Sequence, residues 1–330
     1  MEQRTLGVAG PVSAVGLGCM GMSGAYGPTD RAEAIATIHA ALDAGITLLD
    51  TGDFYGMGHN ELLIAEALRG RDRDGVVLSV KFGGLRDPGG GFLGFDGRPA
   101  AVKSSLAYSL QRLETDHVDV YRPARLDPDV PIEDTVGAIA ECIEAGWVRH
   151  LGLSEVGADT IRKAHAVHPV ADVQLEYSLM SRGIETKVLP TTRELGIATT
   201  AYGALSRGLL SGNWSAGRAM ATGDFRAHAP RFAPENLATN LVLVDALEQV
   251  ATELGASVAE VAMAWVLSRG EDIVPVIGAR TTDQLHGVVR AASLTLNRGQ
   301  LAAIEAAVPA EAVVGTRYAA PQMAGLDSER

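Results

Sequence analysis

The stretch Leu48-Leu49-Asp50-Thr51-Gly52-Asp53-Phe54-Tyr55-Gly56 decides how this chain is interpreted. The apolar run from Ile46 to Leu49 predicts a buried strand that ends on Asp50, and Tyr55 follows in a loop. A second apolar run, residues 76–80, ends on Lys81. If the two strands are parallel neighbours, a carboxylate, a phenol and an ammonium meet at one edge of the sheet. There the ammonium would lower the phenol pKa from its ordinary value of about 10.

Short apolar runs alternate with amphipathic segments along the chain. The predicted strands are Val12–Gly18, Thr47–Asp50, Val76–Phe82, Val118–Arg122, Val148–Ser154, Asp172–Glu176, Ala198–Tyr202 and Ile273–Ile277. The predicted helices are Arg31–Ala44, Asn60–Leu68, Ala101–Leu113, Ile132–Glu144, Ala158–His165 and Ile184–Leu195. About eight strand–helix units predict an α/β fold, a (β/α)8 TIM barrel, as a single domain over residues 1–330 rather than an open doubly wound sheet.

Three long connections stand out from this pattern. The segments 82–98 and 203–234 leave the carboxyl ends of predicted strands, the face at which barrels carry their active sites. We expect the C-terminal tail, residues 311–330, to fold over the same face.

Composition narrows the classes of partner. The net charge is −12, which argues against a nucleic-acid partner because the phosphate backbone requires a basic surface. Only two cysteines are present, Cys19 and Cys142, so no disulfide framework is predicted and a reducing compartment is the simplest context. The first residues lack a basic region followed by an apolar one, and no apolar segment is long enough to span a bilayer. We therefore expect a cytoplasmic protein with no membrane partner.

Several motifs, in order, lie at the ends of predicted strands. They are Asp50-Thr51-Gly52-Asp53-Phe54-Tyr55-Gly56 with Gly58-His59-Asn60-Glu61, Val76-Val77-Leu78-Ser79-Val80-Lys81-Phe82-Gly83, Gly152-Leu153-Ser154-Glu155, Gln174-Leu175-Glu176-Tyr177-Ser178, Ala201-Tyr202-Gly203-Ala204-Leu205-Ser206-Arg207-Gly208-Leu209-Leu210 and Pro275-Val276-Ile277-Gly278-Ala279-Arg280. In this order and at these places the chain resembles the aldo-keto reductase family over nearly its whole length. The resemblance implies reduction of a small-molecule carbonyl substrate by direct hydride transfer from NADPH.

The resemblance also assigns roles to residues. It implies that Tyr55 is the proton donor, that Lys81 lowers the pKa of its phenol and that Asp50 pairs with Lys81. The residues that it implies for cofactor binding are Ser154 and Gln174 at the carboxamide, Tyr202 on the nicotinamide ring, Gly203, Leu205, Arg207 and Gly208 at the pyrophosphate, and Gly278, Arg280 and Gln284 at the adenosine. A guanidinium at Arg280 suits a 2′-phosphate, which favours NADPH over NADH. No metal site is predicted.

The chain departs from the family pattern in three places. The family usually has a histidine at the end of strand 4, and Ala124 stands there in this sequence. Strand alternation puts Arg122 on the face that looks into the barrel, so it either helps polarise the carbonyl or forms an internal ion pair. Glu155 stands where many members have Asn. After Leu285 the family often has an acidic residue and an asparagine, and this chain has His286-Gly287-Val288.

Three functions remain open at this point. The first is an NADPH-dependent aldehyde or ketone reductase, whose missing histidine and long loops would suit a bulky natural-product or aromatic carbonyl. The second is a cofactor-binding regulatory protein with weak reductase chemistry, since the family includes potassium-channel-associated subunits. The third is a barrel enzyme that acts on phosphorylated sugars, held by glycines after strands 7 and 8. The sequence shows neither the physiological substrate nor the direction of the reaction in the cell, and it is compatible with a homo-oligomer.

Overall fold

Eight parallel strands close into a barrel in which each strand pairs with the next along the chain and the last pairs with the first. The computed structural model describes residues 1–215, 217–218, 220–221 and 223–330. The barrel strands are β1 (Gly16–Gly18), β2 (Leu48–Gly52), β3 (Val77–Phe82), β4 (Val118–Pro123), β5 (Val148–Ser154), β6 (Val170–Glu176), β7 (Ala198–Tyr202) and β8 (Ile273–Gly278). All eight lie within or beside the predicted runs, so the predicted barrel is confirmed.

Helices cover the outside of the barrel. They are α1 (Arg31–Asp43), α2 (His59–Leu68), α3 (Pro99–Leu113), α4 (Ile132–Glu144), α5 (Ala158–Val167), α6 (Val188–Glu194), α7 (Pro234–Glu253), α8 (Val258–Ser268), α9 (Thr282–Ala291), α10 (Arg298–Ala307) and α11 (Ala320–Ala324). The sequence pattern predicts α1–α6 and does not predict α7–α11. Of these, α8 is buried on nearly all sides and lacks a polar face, so it shows no amphipathic pattern. In the described part of the chain no single helix is long and apolar enough to cross a bilayer, although the bent pair α7–α8 meets that test by length and composition alone.

An N-terminal hairpin, Gln3–Thr5 paired with Pro11–Ser13, closes the amino-terminal end of the barrel. Its Leu6 and Val12 are buried in a cluster of side chains inside the barrel, completed by Leu48, Val120, Ala198, Val274 and Val276. Gly7 has a φ of +51°, and a Cβ there would lie 2.1 Å from the carbonyl oxygen of Ala171. This end is therefore tightly packed, and polar side chains collect at the opposite, carboxyl-terminal end.

A second hairpin follows β3, in the Gly- and Pro-rich segment that the sequence presents as a loop. Its strands are Gly84–Arg86 and Phe92–Phe95. A Cβ at Gly84 would lie 2.8 Å from the ring of Phe54, so the base of the hairpin packs beside Tyr55. The apolar side chains of Leu85, Phe92 and Leu93 are exposed on it.

Candidate active site

Asp50, Lys81 and Tyr55 meet at the carboxyl end of β2 and β3. The parallel register pairs Gly52 with Lys81, which brings the lysine beside the end of β2. Lys81 Nζ forms a buried ion pair with Asp50 Oδ1, and it lies 5.2 Å from the centroid of the Tyr55 ring. The structure thus brings together the three side chains that the sequence proposes as the catalytic group.

Neutral donors fix the Asp50 carboxylate from the other side. Asp50 Oδ2 accepts hydrogen bonds from Ser79 Oγ at 2.9 Å and from Gln174 Nε2 at 2.7 Å. Because the carboxylate is held by an ammonium, a hydroxyl and an amide, its orientation toward Lys81 is well defined. Gln174, which the sequence assigns to the cofactor, therefore also supports Asp50.

The electrostatics of Tyr55 differ from the sequence expectation. Burial raises the pKa of Tyr55 well above its ordinary value of 10, the Asp50 charge raises it further, and Arg125 lowers it. Burial likewise lowers the pKa of Lys81, although the Asp50 charge opposes this. Since Asp50 offsets the ammonium charge, the ion pair presents little net positive charge to the phenol. In this structure the expected acidifying effect of Lys81 does not prevail over burial.

Arg122 lies deep inside the barrel, with its side chain completely buried. Its Nη1 pairs with Asp172 Oδ2 at 2.8 Å and donates to Thr200 Oγ1 at 3.2 Å. Its Nη2 donates to Ser79 Oγ at 2.9 Å, and Ser79 in turn donates to Asp50. This is the internal ion pair that the sequence offers as an alternative. In the described part of the chain, Ser79 links Arg122 to Asp50 by hydrogen bonds. Burial lowers the pKa of Lys81, and the charge of Arg122 lowers it further.

Arg125 is a residue at the site that the sequence analysis misses. Its Nη2 donates to Tyr318 Oη at 3.1 Å, and its Nη1 donates to the carbonyl oxygen of Ala124 at 2.6 Å and lies 3.5 Å from Ser154 Oγ. The strand alternation that places Arg122 inside the barrel does not extend to Arg125, because β4 ends at Pro123. Beyond a strand end the two-residue period no longer decides which side chain faces the site. Ala124 itself is only 2% exposed.

Glu155 forms the centre of a second buried cluster. It adopts a left-handed φ of +54°, a conformation in which asparagine is better tolerated than glutamate. Its carboxylate accepts hydrogen bonds from both terminal nitrogens of Arg317, from Tyr202 Oη at 2.7 Å and from Ser328 Oγ at 2.6 Å. Burial opposes ionisation, but the hydrogen bond and charge of Arg317 outweigh it and lower the pKa of Glu155 to about 2. The carboxylate thus compensates for its unfavourable backbone by tying the C-terminal segment to β5 and β7.

The tail also reaches the loop after β7, the predicted pyrophosphate segment. Tyr318 Oη lies 3.0 Å from Tyr202 Oη, and the guanidinium of Arg207 stacks 4.2 Å from the Tyr318 ring centroid. Arg207 also donates to Glu176 Oε2 at 3.0 Å. A Cβ at Gly203, where φ is +65°, would lie 3.1 Å from the Glu176 side chain, so the loop turns closely over β6. Leu205 and Gly208 belong to the same loop.

The predicted adenosine end lies after β8, close to Tyr26. Arg280 Nη1 donates to the carbonyl oxygen of Tyr26 at 3.1 Å, while its backbone N–H donates to Gln284 Oε1 at 2.8 Å. Gly278 ends β8 just before this turn. The guanidinium of Arg226 lies 4.9 Å from the Tyr26 ring centroid, and the charge of Arg207 also acts on Tyr26. Arg226 is paired with Asp224 and Arg207 with Glu176. Among the described residues Arg280 has no carboxylate partner, and its guanidinium suits a phosphate of a dinucleotide.

The parallel barrel carries a carboxylate, a lysine and a tyrosine at its carboxyl-terminal end, and an arginine suited to phosphate lies nearby. This combination is typical of a class of NAD(P)-dependent oxidoreductases. The profile of the Aldo/keto reductase family matches residues 14–309. The chain belongs to this family, whose members are NAD(P)-dependent oxidoreductases acting on carbonyl compounds.

Individual relatives agree with this assignment. The chain is 40% identical to "Probable aldo-keto reductase 1" of Glycine max over 308 residues, which are 93% of this chain and 88% of the relative. Among solved structures it is similar to the glycerol dehydrogenase AKR11B4 of Gluconobacter oxydans, with a TM-score of 0.84, 29% identity and coverage of 92% and 94% of the two chains. It is also similar to the holo form of aldo-keto reductase AKR11C1 of Bacillus halodurans, with a TM-score of 0.77, 28% identity and coverage of 94% and 97%.

Proposed function

We propose that this protein reduces an aldehyde or a ketone to an alcohol with NADPH, and that Tyr55 donates the proton. The observation that carries the proposal is the buried ion pair of Lys81 with Asp50, held against the ring of Tyr55. A buried lysine pair of this kind is costly to desolvate, and it fixes a proton-bearing network beside a phenol.

NADPH, when bound, supplies a hydride to the carbonyl carbon. Tyr55 Oη then gives its proton to the carbonyl oxygen, so that the carbonyl gains one hydride and one proton and becomes an alcohol. Lys81 lies against the Tyr55 ring, where its ammonium group would stabilise the phenolate that remains. Asp50 holds Lys81 in this position through the ion pair. The proton must afterwards return to Tyr55 from solvent or from a neighbouring group.

The residues proposed to hold the cofactor lie along one side of the barrel mouth. Gln174 Nε2 is engaged by Asp50, which leaves Gln174 Oε1 for the amide N–H of the carboxamide, beside Ser154. Tyr202 would pack on the nicotinamide ring, and the loop from Gly203 to Gly208, with Leu205 and Arg207, would pass the pyrophosphate. Gly278, Arg280 and Gln284 would hold the adenosine. Arg280, whose guanidinium donates to the Tyr26 carbonyl oxygen, favours the 2′-phosphate of NADPH.

We further propose an apolar, ring-bearing carbonyl as the substrate. The support is the hairpin after β3, which packs on Phe54 beside Tyr55 and exposes Leu85, Phe92 and Leu93. Ala124 stands where the family resemblance predicts a histidine, and its methyl group takes up less space than an imidazole would. Aromatic aldehydes should therefore be reduced with a lower KM than small aliphatic ones.

The test follows the near-ultraviolet absorbance of NADPH with a panel of aldehydes. The Tyr55 hydroxyl makes no hydrogen bond to any residue that the structure describes, so Tyr55→Phe removes the proton donor without leaving a partner unsatisfied. We expect turnover to fall by about 100-fold or more. NADPH binding, followed by protein fluorescence, should be unchanged.

Two results would contradict the proposal. Normal turnover by Tyr55→Phe would show that another group is the acid. Tight NADPH binding by the wild type without turnover of any carbonyl would favour a regulatory cofactor-binding protein instead.

A further inference from the structure

We propose that Arg125 is a second catalytic residue, whose guanidinium donates a hydrogen bond to the oxygen of the carbonyl while Tyr55 supplies the proton. The inference rests on the reductase function proposed above and adds to it the group that polarises the carbonyl. Two features of Arg125 support it: the position of its side chain at the site and the hydrogen-bond partners of its guanidinium.

Arg125 faces the point at which the candidate site residues converge. Its Nη1 lies 3.5 Å from Ser154 Oγ, and its Nη2 reaches Tyr318 Oη, which lies 3.0 Å from Tyr202 Oη. The guanidinium is also close enough to Tyr55 for its charge to favour the phenolate. It therefore borders the space between the proposed proton donor and the proposed nicotinamide residues.

Arg125 differs from the neighbouring buried arginines in its partners. Arg122 pairs with Asp172, Arg207 with Glu176 and Arg317 with Glu155. Within the described residues, the acceptors of Arg125 are the Ala124 carbonyl and the Tyr318 and Ser154 hydroxyls, all of them neutral. Burial works against the cation, but Tyr318, Tyr202 and Glu155 raise the pKa of Arg125 above its ordinary value. The guanidinium therefore stays charged, and it can stabilise a developing negative charge on a ligand.

The oxygen of Tyr318 indicates what Arg125 can bind. It accepts a hydrogen bond from Nη2 at 3.1 Å, which shows that an uncharged oxygen fits at this position. Besides burial, both Arg125 and Tyr318 act on the pKa of Tyr55, so an oxygen in this place would lie on the side of the proposed proton donor. Release of Tyr318 would leave Nη2 free for it.

This placement gives Arg125 a defined chemical task. As hydride reaches the carbonyl carbon, the C=O π electrons move onto oxygen, and a fixed cation lowers the energy of that charge before the Tyr55 proton arrives. An arginine stays protonated at all accessible pH values, unlike an imidazole. Polarisation by Arg125 should therefore not titrate near neutrality.

The experiment compares Arg125→Met and Arg125→Lys with the wild type in reduction of an aromatic aldehyde. We expect Arg125→Met to lower kcat by about 100-fold, the scale of losing one donor to a developing oxyanion. Arg125→Lys should recover part of this loss, because it keeps the charge but not the planar fork. NADPH binding, followed by fluorescence, should stay within about twofold of the wild type in both variants. Arg69→Met, which removes an exposed arginine paired with Glu114, is the matched control and should behave as the wild type.

Two further measurements separate catalysis from folding. In the wild type, benzoate should compete with the aldehyde, and Arg125→Met should weaken this inhibition about tenfold, the loss expected for one charge-assisted hydrogen bond. In Arg125→His, kcat should fall as the pH rises through the imidazole pKa near 6.5, a dependence that a structural role would not create. If Arg125→Met does not fold, the lysine and histidine variants carry the test.

The outcomes distinguish this inference from the proposed function. If the wild type turns over and Tyr55→Phe does not, but Arg125→Met retains normal kcat, only the role of Arg125 is wrong. If Arg125→Met loses NADPH binding to the same degree as turnover, Arg125 is a cofactor ligand and the inference is also overturned. If the wild type reduces no carbonyl, both proposals fail.

Discussion

Replacing Arg122 by methionine tests whether this arginine is a structural or a catalytic group. Both Arg122 and Asp172 are completely buried, and they form an ion pair of 2.8 Å. Removing one partner of a buried pair leaves an uncompensated charge and typically costs about 3–5 kcal/mol of unfolding free energy. Asp172 Oδ1 already lacks a hydrogen-bond partner among the described residues, so little in the barrel can take over from the arginine. We expect Arg122→Met to lower the free energy of unfolding by about 3–5 kcal/mol.

The effect on turnover should be small by comparison. Among the described residues Ser79 links Arg122 to Asp50 by hydrogen bonds. Beyond the effect of burial, the charge of Arg122 lowers the pKa of Lys81 without touching the reacting atoms. Loss of Arg122 should therefore reduce kcat less than about tenfold, whereas Tyr55→Phe should reduce it about 100-fold or more. The measurements are urea unfolding and steady-state kinetics on the folded fraction of each variant. Near-normal turnover in Arg122→Met would remove the arginine from the mechanism.

A double variant serves as the control. Arg122→Met/Asp172→Asn has no buried charge left at this place, so it should recover at least about 1 kcal/mol relative to Arg122→Met alone. The reasoning is refuted if Arg122→Met keeps its stability but loses turnover as severely as Tyr55→Phe does. In that case Arg122, and not the phenol alone, would be part of the chemistry.

Two further predictions concern buried carboxylates. The pKa of Glu155 falls from 4.5 to about 2 in the folded protein, so its stabilisation, roughly 3 kcal/mol, is present above pH 4.5 and is lost as the pH falls toward 2. The backbone amide of Ser328 donates to the carbonyl oxygen of residue 155, so its hydrogen exchange reports on this contact. Glu155→Gln should therefore speed hydrogen exchange at Ser328 strongly at pH 7 and less at pH 3. Equal effects at both pH values would argue against the ion pair as the cause. Burial raises the pKa of Asp53 from 3.8 to about 7, and the charge of Glu61 adds to this, so the wild type should lose stability as the pH rises between these values. The free energy of unfolding of Asp53→Asn, measured with urea, should exceed that of the wild type by about 1–4 kcal/mol at pH 8 and should nearly equal it at pH 4. A gain of the same size at both pH values would exclude titration of Asp53 as the cause.

The barrel strands and the site around Tyr55 are readable from the sequence because they depend on local patterns. Apolar runs of the right length mark β2 and β3, and the parallel register of neighbouring strands then places Lys81 beside Asp50. The two hairpins are not readable in this way. Their strands have three or four residues each, too few to show a period, and glycines interrupt the second of them.

The partners of the buried charges depend on contacts between distant parts of the chain. Strand alternation predicts that Arg122 faces the barrel interior, but it does not show whether the arginine meets a substrate or a carboxylate there. Closure of the barrel places Asp172, 50 residues away in the chain, beside it. Arg317 and Glu155 are 162 residues apart, and no local pattern links them.

The sequence is enough to predict the order of the barrel strands, the closed barrel and the meeting of Asp50, Tyr55 and Lys81 at its mouth. These features follow from side-chain periods and from residues close together in the chain. The tertiary structure was needed to show that Asp172 neutralises Arg122, whereas the hydrogen-bond acceptors of Arg125 among the described residues are neutral, and that the tail contacts Tyr202. The physical reason is that the cost of a buried charge depends on which groups surround it in space, and closure of the barrel sets those neighbours.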